Sequence, residues 1–402
     1  MDLLAASRLV KAVMSRAPAS LGPRRTTSTH EFYRYPARFA PEVARAAIGA
    51  FSEPGEVVLD PFVGGGTTLV ESRLGGRVGI GSDVNELATF VARIKCTPYR
   101  ESVLRSVASW ATQVQPNVNL QREAAARDGW IEDGYLRNID GPEFWRLRKF
   151  IALLRQETDV LESQQAQEFV RCALLRTAQW ALDMRSTLPS IPEFRSAFAK
   201  SLDGMVAAAR VFSKAVRRAD RQSATMCSRR SLIVTGRAQD LPTNSRVTAY
   251  GAPRLVLTSP PYPGVYVNYH RWKVQSRRET PVPYWIANRL DGNGLAHYTM
   301  SARAEPHLTT YFNKLRDAFQ SIASLCDQRT LIVQVVGFSD PDSQFARYRE
   351  TMVAAGLGEV FFSRCATEQD GRLWRDVPGR RWWTRGNAVA TAKEVVLFHR
   401  PQ

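Results

Sequence analysis

The 402-residue sequence has only five cysteines, Cys96, Cys172, Cys227, Cys326 and Cys365, and no CxxC pair. That dispersal argues against a zinc site or a disulfide framework and for a reducing compartment, the cytoplasm. The five histidines show no metal-ligand spacing. No apolar run approaches the roughly 18 residues of a membrane span, and no internal repeat is evident. Acidic residues are also short: 38 Asp and Glu stand against 55 Lys and Arg, a formal charge of +17. An enzyme of small molecules rarely needs such an excess. A polyanion partner explains it, because Arg and Lys neutralise phosphates and release counterions.

The excess is concentrated at Arg217-Arg218-Ala219-Asp220-Arg221, Arg229-Arg230, Arg271-Trp272-Lys273 to Arg277-Arg278, and Arg372 to Arg385. The last two stretches interleave Trp272, Trp374, Trp382 and Trp383 with cations, as nucleic-acid surfaces often do. Each stretch alone could be a solvated face; their sum is harder to dismiss. Residues 1–28 carry Arg8, Lys11, Arg16, Arg24 and Arg25 against Asp2. They read as a basic arm or short amphipathic helix in preference to a transit peptide, because Asp2 is unfavourable for targeting.

Two motifs carry the chemistry. Residues Leu255 to Tyr262 read as an apolar strand that runs into Thr258-Ser259-Pro260-Pro261-Tyr262. Two prolines stop the strand and hold its last turn in one shape, with carbonyls free to accept. Such a turn can place Ser259 and the Pro260 carbonyl around an amine, with the Tyr262 ring beside it. The bland alternative is a Pro-Pro turn with a buried tyrosine. Further upstream, Glu56-Val57-Val58-Leu59-Asp60-Pro61-Phe62-Val63-Gly64-Gly65-Gly66-Thr67-Thr68 reads as strand, glycine turn and helix start. The glycines allow positive φ and close backbone approach. The helix offers free N–H groups to an anion. A dinucleotide fingerprint would need glycine where Leu69 stands, and a P-loop would need a lysine beside Thr67-Thr68.

Together these motifs resemble the amino-methyltransferase family, which methylates an exocyclic amine of a nucleobase. Its signatures are (Asp/Asn/Ser)-Pro-Pro-(Tyr/Phe/Trp) and Asp-Pro-Phe-x-Gly-x-Gly-Thr-Thr. The resemblance covers about residues 29–100 and 230–340. It implies S-adenosyl-L-methionine as cofactor, bound by Asp60, Phe62, Gly64, Gly66 and Thr67. It implies catalysis by Ser259, Pro260, Pro261 and Tyr262, with no metal. Asp83 ends the strand that starts near Gly76. It fits the acidic residue that takes a ribose diol roughly 20 residues after a glycine loop, and it could also cap the helix Glu86 to Lys95. The segment His30 to Pro41 resembles the Tyr-Pro-Ala-(Arg/Lys)-Phe-x-Pro stretch that closes over the methionine end of the cofactor, which puts Phe39 there. Pro41 suits the first turn of the helix Glu42 to Ala50. Asp240, after the strand Ser231 to Thr235, is the candidate for the adenine amine of the cofactor, against a solvated loop carboxylate.

The implied fold is α/β: a Rossmann-like class I methyltransferase sheet, mostly parallel, with a C-terminal antiparallel hairpin and a helical insertion. Four segments are expected. Residues 1–28 form the basic arm, 29–100 the cofactor half, 101–228 the insertion, and 229–402 the catalytic half with DNA-contacting loops. In the insertion, Phe144 to Leu154, Ala166 to Met184 and Phe194 to Val216 have helical spacing, with Leu153, Phe169, Leu174, Trp180 and Phe198 as core. Residues 263–307 show little periodicity and read as a long functional loop. Tyr311 to Leu325 and Gln344 to Ala355 read as helices, the latter ending at Gly356. Thr330 to Val336 reads as a strand. Glu359 to Phe362 and Glu394 to His399 fit the final hairpin.

The expected partner is DNA, whose target base must leave the duplex stack to reach Tyr262. A restriction endonuclease encoded separately is a further possible partner, and no membrane is involved. Serine favours N4 of cytosine by resemblance. Many serine-type members have the reverse motif order, so N6 of adenine stays open. So do an RNA base as substrate and a non-catalytic nucleic-acid-binding protein on the same fold.

Overall fold

A computed structural model describes residues 3–14, 29–35, 40–122, 129–222, 231–263, 270–275, 278–292, 294–301, 307–338, 340–376 and 393–402. In chain order the strands are β1 (Val57–Asp60), β2 (Val78–Asp83), β3 (Leu232–Thr235), β4 (Leu255–Thr258), β5 (Trp272–Val274), β6 (Arg278–Thr280), β7 (Leu331–Phe338), β8 (Leu357–Glu359), β9 (Leu373–Asp376) and β10 (Lys393–Pro401). All but the β5–β6 hairpin form one eight-stranded sheet, in the order β3-β2-β1-β4-β7-β10-β8, with β9 beside β10. The run from β3 to β7 is parallel. β10 lies antiparallel between β7 and β8. This is the expected Rossmann-like sheet with its closing antiparallel strands. The strand expected at Glu359 to Phe362 is instead β8, Leu357–Glu359, which shares only Glu359 with that run, and β9 intervenes before β10.

The helices are α1 (Leu3–Met14), α2 (Pro41–Phe51), α3 (Thr67–Leu74), α4 (Glu86–Cys96), α5 (Glu101–Gln113), α6 (Trp145–Glu157), α7 (Gln164–Leu182), α8 (Ile191–Gln222), α9 (Ser245–Thr248), α10 (Val282–Ala287), α11 (Leu295–Tyr298), α12 (His307–Ser324) and α13 (Pro341–Ala354). Alternation along the strands sends side chains to opposite faces. Leu255 and Leu257 share one buried cluster with Leu9 of α1 and Ile48 of α2, whereas Val256 belongs to another with Phe319 of α12 and Met352 of α13. Helix α13 starts three residues before its expected bound, with Pro341 in its first turn. Gly356 adopts the positive φ of +77° expected after a helix end.

Helices α5 to α8 form the insertion between β2 and β3, as expected. Leu153, Phe169, Leu174 and Phe198 are buried in it. Trp180 is not: it is 43% exposed. Its ring lies beneath the Arg185 guanidinium, 4.7 Å from the ring centre, and cation–π contact suits a half-exposed aromatic ring.

The described residues between 263 and 307 hold more regular structure than their composition implies. They include the β5–β6 hairpin, and Val282 to Ala287 in α10 are all buried. A segment buried on every side has no apolar periodicity to read. Trp272 is likewise interior, its indole N–H donating to Tyr33 Oη at 3.0 Å, so it is not a nucleic-acid surface. Several expected contact cations are also internally engaged. Arg271 pairs with Asp291, Arg372 with Glu359, and Arg375 with Glu394. Trp374 donates to Asp370. Trp382 and Trp383 lie outside the described residues. No helix among the described residues is long and apolar enough to cross a membrane.

Candidate active site

The carboxyl ends of β1, β2 and β4 converge at one edge of the sheet. Asp60 closes β1 and is buried. Its Oδ1 accepts from the Thr258 hydroxyl at 2.7 Å and from Phe62 N at 3.2 Å. Burial pushes the Asp60 carboxyl up to about 6, and hydrogen bonding from Thr68, Thr258 and Phe62 N holds it from going higher. The Asp60–Thr258 bond ties the glycine turn to the Ser-Pro-Pro-Tyr turn, which stand on adjacent parallel strands.

The glycine turn is shaped by its own backbone. Gly64 and Gly66 have φ of +45° and +81°. A Cβ on Gly66 would lie 2.9 Å from both Cα and Cβ of Ala92 in α4. Gly66 precedes Thr67, the first residue of α3, and no side chain caps that helix start. Phe62 is half-buried near Phe319, with ring centres 6.3 Å apart. Tyr35 covers the turn: a Cβ on Gly65 would meet Tyr35 Cβ at 2.8 Å. Phe39 lies outside the described residues.

Asp83 ends β2, half-buried. Its Oδ2 accepts from Gly64 N at 2.9 Å and its Oδ1 from Asn85 N at 2.9 Å. It does not cap α4. Asn85 does, accepting from Leu87 N and Ala88 N. Burial pushes the Asp83 carboxyl up to about 6 as well. Asp240 follows β3 in a short turn and is half-exposed, its carboxylate held by Arg237 at 2.7 Å. Its carboxylate accepts from Arg237 and its carbonyl from Thr243 Oγ1 in the same turn, and among the described residues no hydrogen bond joins it to Asp83 or the glycine loop.

The Ser-Pro-Pro-Tyr turn is held from remote parts of the chain. Tyr311 of α12 donates to the Pro261 carbonyl at 2.7 Å. Ser259 Oγ donates to Tyr262 Oη at 3.2 Å, and Tyr262 Oη donates to Glu394 Oε1 at 3.0 Å. The Tyr262 ring lies against Gly337 of β7, where a Cβ would stand 2.6 Å from Cε2. Burial, then the Glu394 charge, push the Tyr262 phenol well above its ordinary range. Sequence reasoning missed Glu394, Tyr311 and Gly337. No local signal could have found them, because each lies far along the chain from the motif it supports.

Residues 18–91 match the N6/N4 methyltransferase family described as DNA methylase. The chain is 28% identical over 131 residues to the Type II methyltransferase M.MvaI of Kocuria varians, covering 32% of this chain and 28% of that protein. It is 29% identical over 83 residues to the Type II methyltransferase M.MjaII of Methanocaldococcus jannaschii, covering 21% and 16%. The chain is related to the N4/N6 DNA amino-methyltransferases. The matched stretches span under a third of those relatives. Such a family implies a methyl donor of the S-adenosylmethionine type. Among solved structures, an rRNA methyltransferase, aviRa from Streptomyces viridochromogenes, aligns over 93% of this chain and 91% of its own at 12% identity, with a TM-score of 0.34.

Proposed function

We propose that this chain is an S-adenosylmethionine-dependent DNA methyltransferase acting on the exocyclic amine of a flipped base, N4 of cytosine before N6 of adenine. The observation that carries the reading is the Thr258–Asp60 hydrogen bond, which fixes the two family loops side by side. The cofactor side comprises Asp60, Phe62, Gly64, Gly66, Thr67 and Asp83. The fit is chemical. The helix start at Gly66 has no side-chain cap, and the half-buried Asp83 carboxylate has lone pairs to spare for a diol. Asp240 would join this side only by exchanging its Arg237 partner. Phe39 is assigned there by family resemblance alone.

When bound, the cofactor supplies an electrophilic methyl group. The chain's task is to prepare the amine. An exocyclic amine is a poor nucleophile because its lone pair is conjugated with the ring. Hydrogen bonds from the amine to Ser259 Oγ and the Pro260 carbonyl draw that lone pair out of conjugation. The Tyr262 ring stacks on the flipped base, a contact worth about 1–3 kcal/mol. Pro261 fixes the turn, and the remaining gain is positional.

The polyanion reading has support away from this edge. A cavity of about 660 Å³ beside the start of β3 is lined by Arg73, Arg93, Arg100, Arg217 and Arg246, with Asp220 among them. DNA affinity should therefore fall steeply as salt rises; a flat dependence would contradict the reading. The names of the relatives make a separately encoded restriction endonuclease the natural functional partner.

The deciding experiment incubates the protein with unmethylated DNA and S-adenosylmethionine, digests the DNA to nucleosides and weighs them. N4-methylcytosine supports the proposal. N6-methyladenine alone moves the base assignment and keeps the rest. Methyl transfer to RNA and not DNA overturns the substrate.

A further inference from the structure

The three groups Ser259, Tyr262 and Glu394 form a chain whose hydrogen-bond direction is fixed at one end. Glu394 sits on β10, opposite Gly337 of β7, and is buried. Its Oε2 takes the Arg375 guanidinium, with Nε at 2.7 Å. A carboxylate can only accept. Tyr262 must therefore donate its single proton to Glu394 Oε1. With that proton committed, Tyr262 Oη can only accept from Ser259, so Ser259 must be the donor across their 3.2 Å contact. A serine hydroxyl has one proton and two lone pairs. Once its proton is turned to Tyr262, it presents only lone pairs to anything else.

We propose that Glu394 is a positioning residue that, through Tyr262, holds Ser259 as an obligate acceptor for an N–H of the target amine. The proposal rests on the methyltransferase reading above. The opposite arrangement would aim the Ser259 proton at the amine lone pair and tie up the electrons needed for attack. Successive donation toward a carboxylate also polarises the serine oxygen. The neutral serine thereby gains some of the acceptor strength of an aspartate without carrying charge at the site. Gly337 belongs to the device: any side chain there would displace the Tyr262 ring, since even a Cβ falls within 2.6 Å of it.

The test uses the full chain and methyl transfer to unmethylated DNA. Tyr262→Phe keeps the ring and deletes the relay. Its kcat should fall on the order of tenfold or more, the worth of one hydrogen bond of this kind. Its KM for DNA and its calorimetric affinity for S-adenosylmethionine should stay within about twofold. Glu394→Gln can donate as well as accept, so it should also lower kcat, and Glu394→Asp should recover part of the loss. The double variant Tyr262→Phe/Glu394→Gln should be no slower than Tyr262→Phe alone, because both act on one chain of bonds. Thermal unfolding monitors the fold of each variant, and Glu394→Gln serves if Tyr262→Phe is unstable. Wild-type kcat in folded Tyr262→Phe, a loss confined to KM, or additive losses in the double variant would each overturn the relay. If the wild-type protein transfers no methyl group at all, the methyltransferase reading fails and takes the relay with it. An active wild type with unaffected variants defeats the relay alone.

Discussion

The ends of β1 and β4 lie side by side, yet they are built in opposite ways. The glycine turn after β1 is made from nearby residues. Apart from the Asp60–Thr258 bond it shares with the other turn, its side-chain bonds span 2 residues, from Phe62 N to Asp60, and 19 residues, from Gly64 N to Asp83. Its shape comes from backbone, with glycine at positive φ where α4 passes close. The Pro-Pro turn after β4 is held by side chains 198, 50 and 132 residues away, from Asp60, Tyr311 and Glu394. The first turn can be specified by a short motif. The second needs the whole sheet in place before its hydroxyls acquire direction. Damage to the first should therefore show as lost stability and cofactor binding, and damage to the second as lost rate.

Gly66→Ala is the sharpest way to break the first turn. The new methyl meets backbone and side chain of Ala92, and such overpacking costs about 1–3 kcal/mol. The left-handed backbone adds about 1–2 kcal/mol for a residue with a Cβ. Gly64→Ala has the positive φ but more space, its nearest neighbour being Tyr35 Cε1 at 3.5 Å. It should lose only the backbone part in a urea titration. Gly64→Val should in addition weaken S-adenosylmethionine binding by calorimetry. Equal stability losses for Gly64→Ala and Gly66→Ala would remove the distinction between close approach and conformation.

The joint between the turns should respond to pH. Asp60 titrates at about 6 in the fold because it is buried, above its ordinary value of 3.8. The folded state thus binds a proton more tightly than the unfolded chain. Stability from this group is greatest below about pH 4 and declines as pH rises toward 6. Thr258→Val removes a donor to the ionised form and should raise that pKa further. The expected loss is about 1–3 kcal/mol, larger at pH 8 than at pH 5 when unfolding by urea is compared. A larger loss at the acidic end would show that Thr258 does not serve the carboxylate.

The same contrast explains what is legible in the sequence alone. The parallel strands, the glycine turn, the acid at the end of β2 and the three long insertion helices follow from local composition and period. Trp180 departs from its expected core position because helical spacing shows that an aromatic residue recurs, not whether a neighbour covers it. Trp272 departs from its expected surface position because flanking cations mimic a surface, while its indole N–H finds Tyr33 far along the chain. Asn85, not Asp83, caps α4, because the Asp83 carboxylate is drawn to Gly64 N. In the sequence Glu394 reads as a strand residue and nothing more. Its role appears only when β10 inserts beside β7.

Tyr311→Phe is the finest probe of the Pro-Pro turn. The hydroxyl is buried and donates to the Pro261 carbonyl, which accepts no backbone N–H among the described residues. Removing it leaves the ring to pack against Phe312, whose centre is 5.1 Å away, so the fold of α12 should hold. The cost in stability should be about 0.5–1.5 kcal/mol, the ordinary worth of one internal hydrogen bond. The informative quantity is the ratio of rate loss to stability loss. If remote side chains set the geometry of this turn, kcat should drop severalfold while S-adenosylmethionine affinity is unchanged, because the Pro260 carbonyl shares the released peptide segment. A variant that loses stability with full kcat would mean the two prolines alone hold the turn. The comparison between a turn specified locally and one specified by the sheet would then collapse.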